Sequence, residues 1–528
     1  MGVPSTEQTA KQLYRQAVTH SQPLAQLLRE PWLVPLLLLA LVLRCYELTA
    51  AAIWGDEGSS VLLAQFPLSG IWAHAAYDVH PPLYFVLLHG WIGLFGDSIL
   101  SIRLMSALPG ALAVFLGTWL MHLVAGRRAT LLACLLLALL PTAVRYSQEV
   151  RMYSLLGVWL LGATLALVYW VRAPQRRRYL VIYALLMAAG FYTHYFTAFC
   201  VVSHWLYLAL ARPRHESARH FLRRRSWWWA NVAIVLLFLP WLPGLVDLVL
   251  HMEELKAGGD VGWEPPVTLR SLPSMIWQLL AQDDGEGMPG WLFVSLPALL
   301  AAVLAYLLCS DRSRSRLPTL LVIYSVLPLL LVFAVSFISP VFIERYLTVP
   351  ALGLPLCLAL AVDRLAQRFK ILAVALLLVV LAVFGVGLKN NYTVDADDQF
   401  DNMVEYMNRH TLPGDQVVLG DMFWYLTWGY YDRSHIAPRL YTPPTAAGVS
   451  TRPNRYGFGT LIDENAGVYL DRLEDLPLGN GRVWLVMSRV DPDEFPSIPG
   501  HWRKLDQHAG GDTQAILYET CGLACPGR

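Results

Sequence analysis

Eleven apolar stretches, parted by polar connections, constrain this chain more than any other feature. They lie at 32–48, 101–124, 129–144, 152–171, 179–192, 195–211, 227–246, 291–309, 317–338, 346–362 and 371–388. An α-helix needs about 20 apolar residues to cross the ~30 Å hydrocarbon core of a bilayer. It also satisfies its own backbone hydrogen bonds, which lipid cannot do. The chain therefore reads as a polytopic α-helical membrane protein. Composition agrees, with 56% hydrophobic and 15% charged residues against about 45–50% and 25% in soluble domains. A net charge of +1 over 528 residues gives no basic field that would recruit nucleic acid.

Lys and Arg set the direction of insertion, because cytoplasmic connections carry their excess. Lys11, Arg15 and Arg29 precede the first stretch, and Arg127 and Arg128 follow the second. Arg172, Arg176, Arg177 and Arg178 follow the fourth, and six Arg crowd residues 212–225. Arg312, Arg314 and Arg316 precede the ninth, and Arg364, Arg368 and Lys370 the last. The alternate connections are nearly bare, and 49–99 holds no Lys or Arg at all. This alternation survives only if the further apolar run Pro82–Phe95 does not cross. That run is expected to lie as a helix in the membrane interface. The expected layout is a cytoplasmic segment 1–31, an eleven-span domain 32–389 and an extracytoplasmic domain 390–528. The apolar run that ends before Thr49 is expected to stay as an uncleaved first span, because the segment before it is long for a signal sequence.

Residues 390–528 read as a small α/β unit. Phe400, Met403, Val404 and Met407 recur on one helical face within 399–408. Strand-like runs follow a turn at Pro413-Gly414-Asp415, at 417–419, 483–487 and 515–518. Five of the 7 cysteines sit in apolar runs as small hydrophobes. Cys521 and Cys525 sit in a polar tail, where a disulfide and two free thiols are both open readings.

With this topology the chemistry-bearing residues gather at one membrane boundary. The first bare loop holds Trp54-Gly55-Asp56-Glu57-Gly58 and Asp78-Val79-His80-Pro81-Pro82-Leu83-Tyr84. The next reads Arg145-Tyr146-Ser147-Gln148-Glu149-Val150-Arg151-Met152-Tyr153. Thr193-His194-Tyr195 and Glu344-Arg345-Tyr346 complete the set. A carboxylate such as Asp56 or Glu57 suits a general base that takes a hydroxyl proton, although Asp and Gly also make ordinary turns. Arg345 suits a phosphate, or it snorkels at a span end. Asp78 and His80 are metal-ligand types, but two residues make no site; a divalent metal, if one binds, is expected there, and no cofactor is otherwise expected.

These motifs resemble those of the GT-C glycosyltransferases. The resemblance is to a bacterial branch akin to protein O-mannosyltransferases and the lipid A aminoarabinose transferase. It rests on Asp-Glu in the first loop, His-Pro-Pro-Leu opening a surface helix, Arg-Tyr-Ser-Gln-Glu-Val-Arg-Met-Tyr, and Glu-Arg-Tyr-Leu. It implies a polyprenyl-phosphate-linked sugar donor and a glycolipid, surface glycan or protein acceptor. It also implies an inverting reaction at the periplasmic face of the bacterial cytoplasmic membrane. By the same resemblance Asp56 is the base, Glu57 its alternate, Glu149 an orienting acid and Arg345 the phosphate ligand. Asp78, His80, Tyr84, Tyr146, Arg151, Tyr153, His194 and Tyr346 are the remaining substrate-binding candidates. His80 stands where the mannosyltransferase branch has His and the aminoarabinose branch usually has Lys. Two other functions compete. One is a glycan polymerase or ligase with a lipid pyrophosphate donor. The other is a lipid-linked sugar transporter, which would place ionisable groups near the bilayer midplane rather than in loops.

Overall fold

The computed structural model describes residues 23–213, 219–257, 266–393, 399–445, 447–462, 467–477, 481–490 and 494–520. Every apolar stretch is helical. Among the described residues, seven helices are long and apolar enough to cross a membrane: Ile99–Val124, Tyr153–Arg172, Arg225–Leu250, Gly290–Ser310, Leu317–Val335, Glu344–Ala366 and Lys370–Tyr392. The other four stretches give Leu33–Cys45, Arg127–Leu139, Arg178–Phe191 and Thr197–Leu210, of 13 or 14 residues. Such helices are roughly 20 Å long, so length and composition alone support seven crossings where eleven were expected. The shortening has local causes. Pro141 starts a separate turn after Leu140, and polar Tyr192-Thr193-His194 end the helix before them in hydrogen-bonded turns.

The basic connections meet at one end of the bundle. Arg127 Nε pairs with Glu30 at 2.7 Å, the Arg212 N–H donates to the Arg314 carbonyl at 2.9 Å, and Arg364 donates to Ser310 at 2.6 Å. The bare connections meet at the other end, where Gln148 donates to the Tyr46 carbonyl at 2.8 Å and Asn390 to that of Ala281 at 2.9 Å. Helix Leu83–Phe95 touches this second end at both of its own. The Leu83 N–H donates to the Tyr192 carbonyl at 3.0 Å, and Tyr430 donates to the Asp97 carbonyl just past its last turn at 2.7 Å. It therefore lies across that end of the bundle.

Beyond the last long helix, six strands form one sheet. They are β1 Gln416–Leu419, β2 Arg439–Tyr441, β3 Tyr469–Leu470, β4 Arg482–Ser488, β5 Arg503–Gly510 and β6 Thr513–Glu519. Their order is β3-β2-β1-β4-β6-β5. β1 is parallel to β2 and β4, while β6 is antiparallel to β4 and β5. Alternate residues face opposite sides. Val417, Leu419, Trp484, Val486 and Leu517 pack on Phe400, Met403, Val404 and Met407 of helix Phe400–His410. Val418, Leu485 and Ile516 pack on the other face with Tyr441 and Leu470. The tail pair Cys521 and Cys525 lies outside the described residues, as do residues 1–22.

One helix of this region, Met422–Tyr431, lies directly against helix Gly55–Gln65. Two glycines permit the approach. A Cβ on Gly55 would stand 2.4 Å from the Phe423 ring, and one on Gly58 would stand 2.7 Å from the Leu426 carbonyl oxygen. Tyr431 fixes the register by accepting the Ile53 N–H at 2.7 Å.

Candidate active site

Asp56 and Glu57 both fall in the first turn of helix Gly55–Gln65. There the helix dipole and unsatisfied N–H groups favour negative charge. Adjacent helical residues point about 100° apart, so the two carboxylates meet different partners. Glu57 is fully buried. It accepts from Arg103 Nε at 2.9 Å and Nη2 at 2.6 Å, and from the Val150 N–H at 2.8 Å. Arg103 also donates to the carbonyls of Leu48, Ala51 and Ala52. This closed ion pair staples the first loop to helix Ile99–Val124.

Asp56 instead faces a cavity of about 640 Å³. Its Oδ2 accepts from Arg345 Nη1 at 2.8 Å and lies 3.8 Å from Arg151 Nη2. Among the described residues its Oδ1 takes no hydrogen bond, so one oxygen is held and the other is presented to the cavity. Arg151 is almost fully buried and donates to the Asp56 carbonyl at 3.1 Å and to Ser60 at 3.2 Å. Its Nε has no partner among the described residues.

Asp78 and His80 form a local pair on the same wall. Asp78 Oδ1 accepts the His80 N–H at 2.8 Å and the ring Nδ1 at 3.0 Å. That leaves His80 Nε2 3.5 Å from Arg151. Burial lowers the imidazole's basicity below its ordinary value despite Asp78. His194 sits behind it, ring centroids 5.6 Å apart, and burial followed by the His80 and arginine charges holds it well below the usual range. Two neutral imidazoles leave Arg151 and Arg345 as the positive charge of the cavity among the described residues. Among those residues no three His, Cys, Asp or Glu converge as a metal site.

The structure thus brings Asp56, Asp78, His80, Arg151, Arg345 and Tyr346 onto one cavity. Tyr153 and His194 pack immediately behind, His194 lying 5.3 Å from the Tyr346 ring and 6.2 Å from the Tyr153 ring. Tyr84 and Tyr146 do not line the cavity, although the Tyr146 ring packs 5.3 Å from that of Tyr153. Tyr84 shares a hydrogen bond with Ser106 at 3.3 Å. Tyr146 donates at 3.3 Å to Glu344, which Thr142 and Gln278 also serve. Sequence reasoning did not find Arg103, nor the cavity roof of Phe423, Trp424, Thr427 and Phe458 from the C-terminal region. A lone Arg two residues inside an apolar run was the available signal for the first. Gly55 and Gly58, three apart on one helix, were the signal for the second.

Glu149 lines a neighbouring cavity of about 430 Å³ with Glu57, Arg103 and Arg145. Burial pushes its carboxyl up to about 7, against the pull of Arg145, which stands 3.8 Å away. A carboxyl raised in the fold stabilises it fully below the ordinary value of 4.5 and loses that contribution as pH climbs through about 7. The loss is on the order of 3 kcal/mol. Glu149→Gln should therefore unfold at higher temperature than the parent at pH 8 and at the same temperature near pH 4.5. A thermal-unfolding difference that does not vary with pH would exclude this environment for Glu149.

Gly58 gives a second test. An added methyl meets a backbone oxygen at 2.7 Å, so helix Gly55–Gln65 must shift and carry Asp56 with it. Gly58→Ala should therefore destabilise the fold by about 1–3 kcal/mol, read as a lower thermal midpoint. Gly90→Ala, with nothing within 4 Å, should leave the midpoint unchanged.

Residues 79–243 match the family of dolichyl-phosphate-mannose-protein mannosyltransferases. The structure is similar to that of ArnT from Cupriavidus metallidurans bound to undecaprenyl phosphate, with a TM-score of 0.61 at 16% identity, covering 94% of this chain and 99% of that one. It is similar to ArnT in the apo state, with a TM-score of 0.57 at 15% identity, covering 92% and 97%. The apo oligosaccharyltransferase of Archaeoglobus fulgidus gives 0.52 at 12% identity, covering 94% and 76%. No curated protein matches the chain in sequence. At these identities the likeness shows the fold, which is the ArnT-like GT-C fold with a small C-terminal sheet region.

Proposed function

We propose that this GT-C-fold membrane protein transfers a sugar from a polyprenyl-phosphate carrier to a hydroxyl of a glycolipid, surface glycan or protein. One observation carries the reading: a buried carboxylate with one oxygen held by Arg345 and the other open to a cavity that also holds Arg151. In the reaction the acceptor oxygen attacks the anomeric carbon and its proton passes to Asp56 Oδ1. The bond from that carbon to the phosphate oxygen breaks, and polyprenyl phosphate leaves with the electron pair. A single displacement of this kind inverts the anomeric centre.

Arg345 and Arg151 meet the phosphate as charge develops on the leaving oxygen. Fixed cations in a water-poor site are effective there. Both already touch Asp56, so the base and the phosphate ligands are positioned by one another. Burial keeps His80 neutral and Asp78 orients its ring so that Nε2 faces Arg151, and Tyr346 and the roof aromatics give sugar faces a surface. Glu57 acts through Arg103 as a positioning residue, and Glu149 serves the neighbouring cavity. The donor's apolar tail runs along the spans, which is reason for such an enzyme to reside in the bilayer. His80 in place of Lys favours a hexosyl donor over aminoarabinose.

The Arg-rich connections support a reading in which the cavity opens on the outer face of a bacterial cytoplasmic membrane. Residues 32–389 then form the catalytic domain, and the region after 390 roofs it from the periplasm. The experiment is glycolipid and glycan analysis of a strain lacking the gene. One sugar should disappear from an envelope component and return with the parental gene but not with the Asp56→Asn form. An unchanged envelope profile would count against the reading.

A further inference from the structure

We infer a binding site for an anionic phospholipid between helices Arg178–Phe191 and Arg225–Phe238, at the arginine end of the bundle and apart from the catalytic cavity. A groove of about 470 Å³ runs between them. Ala184, Ala230 and Ala233 form its floor, and Leu185, Trp229 and Leu237 its sides. The side residues are 55%, 70% and 42% exposed, Trp229 and Leu237 on a helix long and apolar enough to cross a membrane and Leu185 on a shorter apolar one. Something apolar must cover them.

The two ends of the groove differ. Arg177, Arg225 and Ser226 stand at one end, and among the described residues neither guanidinium has a carboxylate partner. The other end is apolar at Leu237, and the next residue, Phe238, has its ring 5.5 Å from that of Tyr192. Tyr192 in turn accepts from Leu83 at the cavity side. The groove therefore offers a negative headgroup two cations at its mouth and an acyl chain an apolar channel below.

Length decides which lipid. From Arg225 to Leu237 the helix rises about 18 Å at 1.5 Å per residue, close to the ~15 Å of one leaflet's hydrocarbon. A two-chain phospholipid of the arginine-side leaflet fits. The donor carrier does not, because its phosphate belongs beside Arg345 at the opposite end. Basic pockets between spans on the positive side suit anionic headgroups for the same electrostatic reason. Excluding the carrier rests on the proposed transfer reaction; the groove, its two arginines and its length do not.

The test is native mass spectrometry of the full-length protein, purified in detergent and titrated with phosphatidylglycerol or phosphatidylcholine of equal chain length. One phosphatidylglycerol should be retained per protein under conditions that strip phosphatidylcholine. The Arg177→Gln, Arg225→Gln double variant should lower that retention roughly tenfold. Ala233→Leu, which fills the channel without touching charge, should lower it as well. Arg312→Gln with Arg368→Gln removes two charges from the same end outside the groove and should change nothing. Thermal midpoints in the same detergent show that the variants are folded. Equal retention of the two lipids, or an equal loss in the control pair, overturns the site.

Discussion

Asp56→Asn is expected to reduce sugar transfer by roughly 10²–10⁴ while donor binding stays near the parental level. The amide keeps the size of the carboxylate and can still meet Arg345 through its oxygen, but it cannot take the acceptor's proton. Asp56 is only 4% exposed, so the substitution tests chemistry more than packing. It removes one member of a 2.8 Å ion pair, and a melting curve must accompany the kinetics. A folded variant with normal donor binding and normal turnover would take Asp56 out of the mechanism. The carboxylates at Glu149 and Asp78 would then be the next to test.

Arg345→Ala should lower turnover by about 10²–10³ and weaken donor binding as well. The phosphate is anionic both before and after the sugar leaves, so its cation serves the bound donor and the departing product alike. Arg345→Lys should recover part of the binding and little of the rate. An ammonium supplies the charge but not the planar fork that spans Asp56 and a phosphate oxygen. Steady-state kinetics with donor titration separate the two effects. A change in KM alone, with kcat intact, would make Arg345 an anchor for the donor and no more.

Much of this site was legible as residue types and little of it as geometry. Asp56 and Arg345 are 289 residues apart, and no periodicity links them. Topology alone argued that their loops share a boundary, because Lys and Arg alternate from loop to loop. The choice between Asp56 and Glu57 was not legible. It depends on Arg103, whose partner is fixed by how helix Ile99–Val124 passes the first loop. The C-terminal contribution was hidden for a different reason. Met422–Tyr431 is apolar almost throughout, so it showed no amphipathic face, yet it meets the sheet on one side and the Asp56 helix on the other. By contrast Phe400–His410 has a single buried face and was visible at once. Strands β2 and β3, of 3 and 2 residues, are too short for a period-2 signal. The four apolar helices that are shorter than the stretches announcing them have a different cause. A hydropathy run counts apolar residues wherever the backbone turns, whereas a helix ends where Pro141 or a polar turn ends it.

The central claim is that this cavity releases a sugar from a polyprenyl monophosphate. The most direct measurement supplies purified protein with a labelled polyprenyl-phosphate sugar and, in parallel, a polyprenyl-pyrophosphate glycan, each with envelope extract as acceptor, and follows the freed carrier. Acceptor-dependent release of polyprenyl phosphate from the monophosphate donor is expected with the parental protein, and almost none with Asp56→Asn. Consumption of the pyrophosphate donor alone, or equal release by the parental protein and Asp56→Asn, would contradict it.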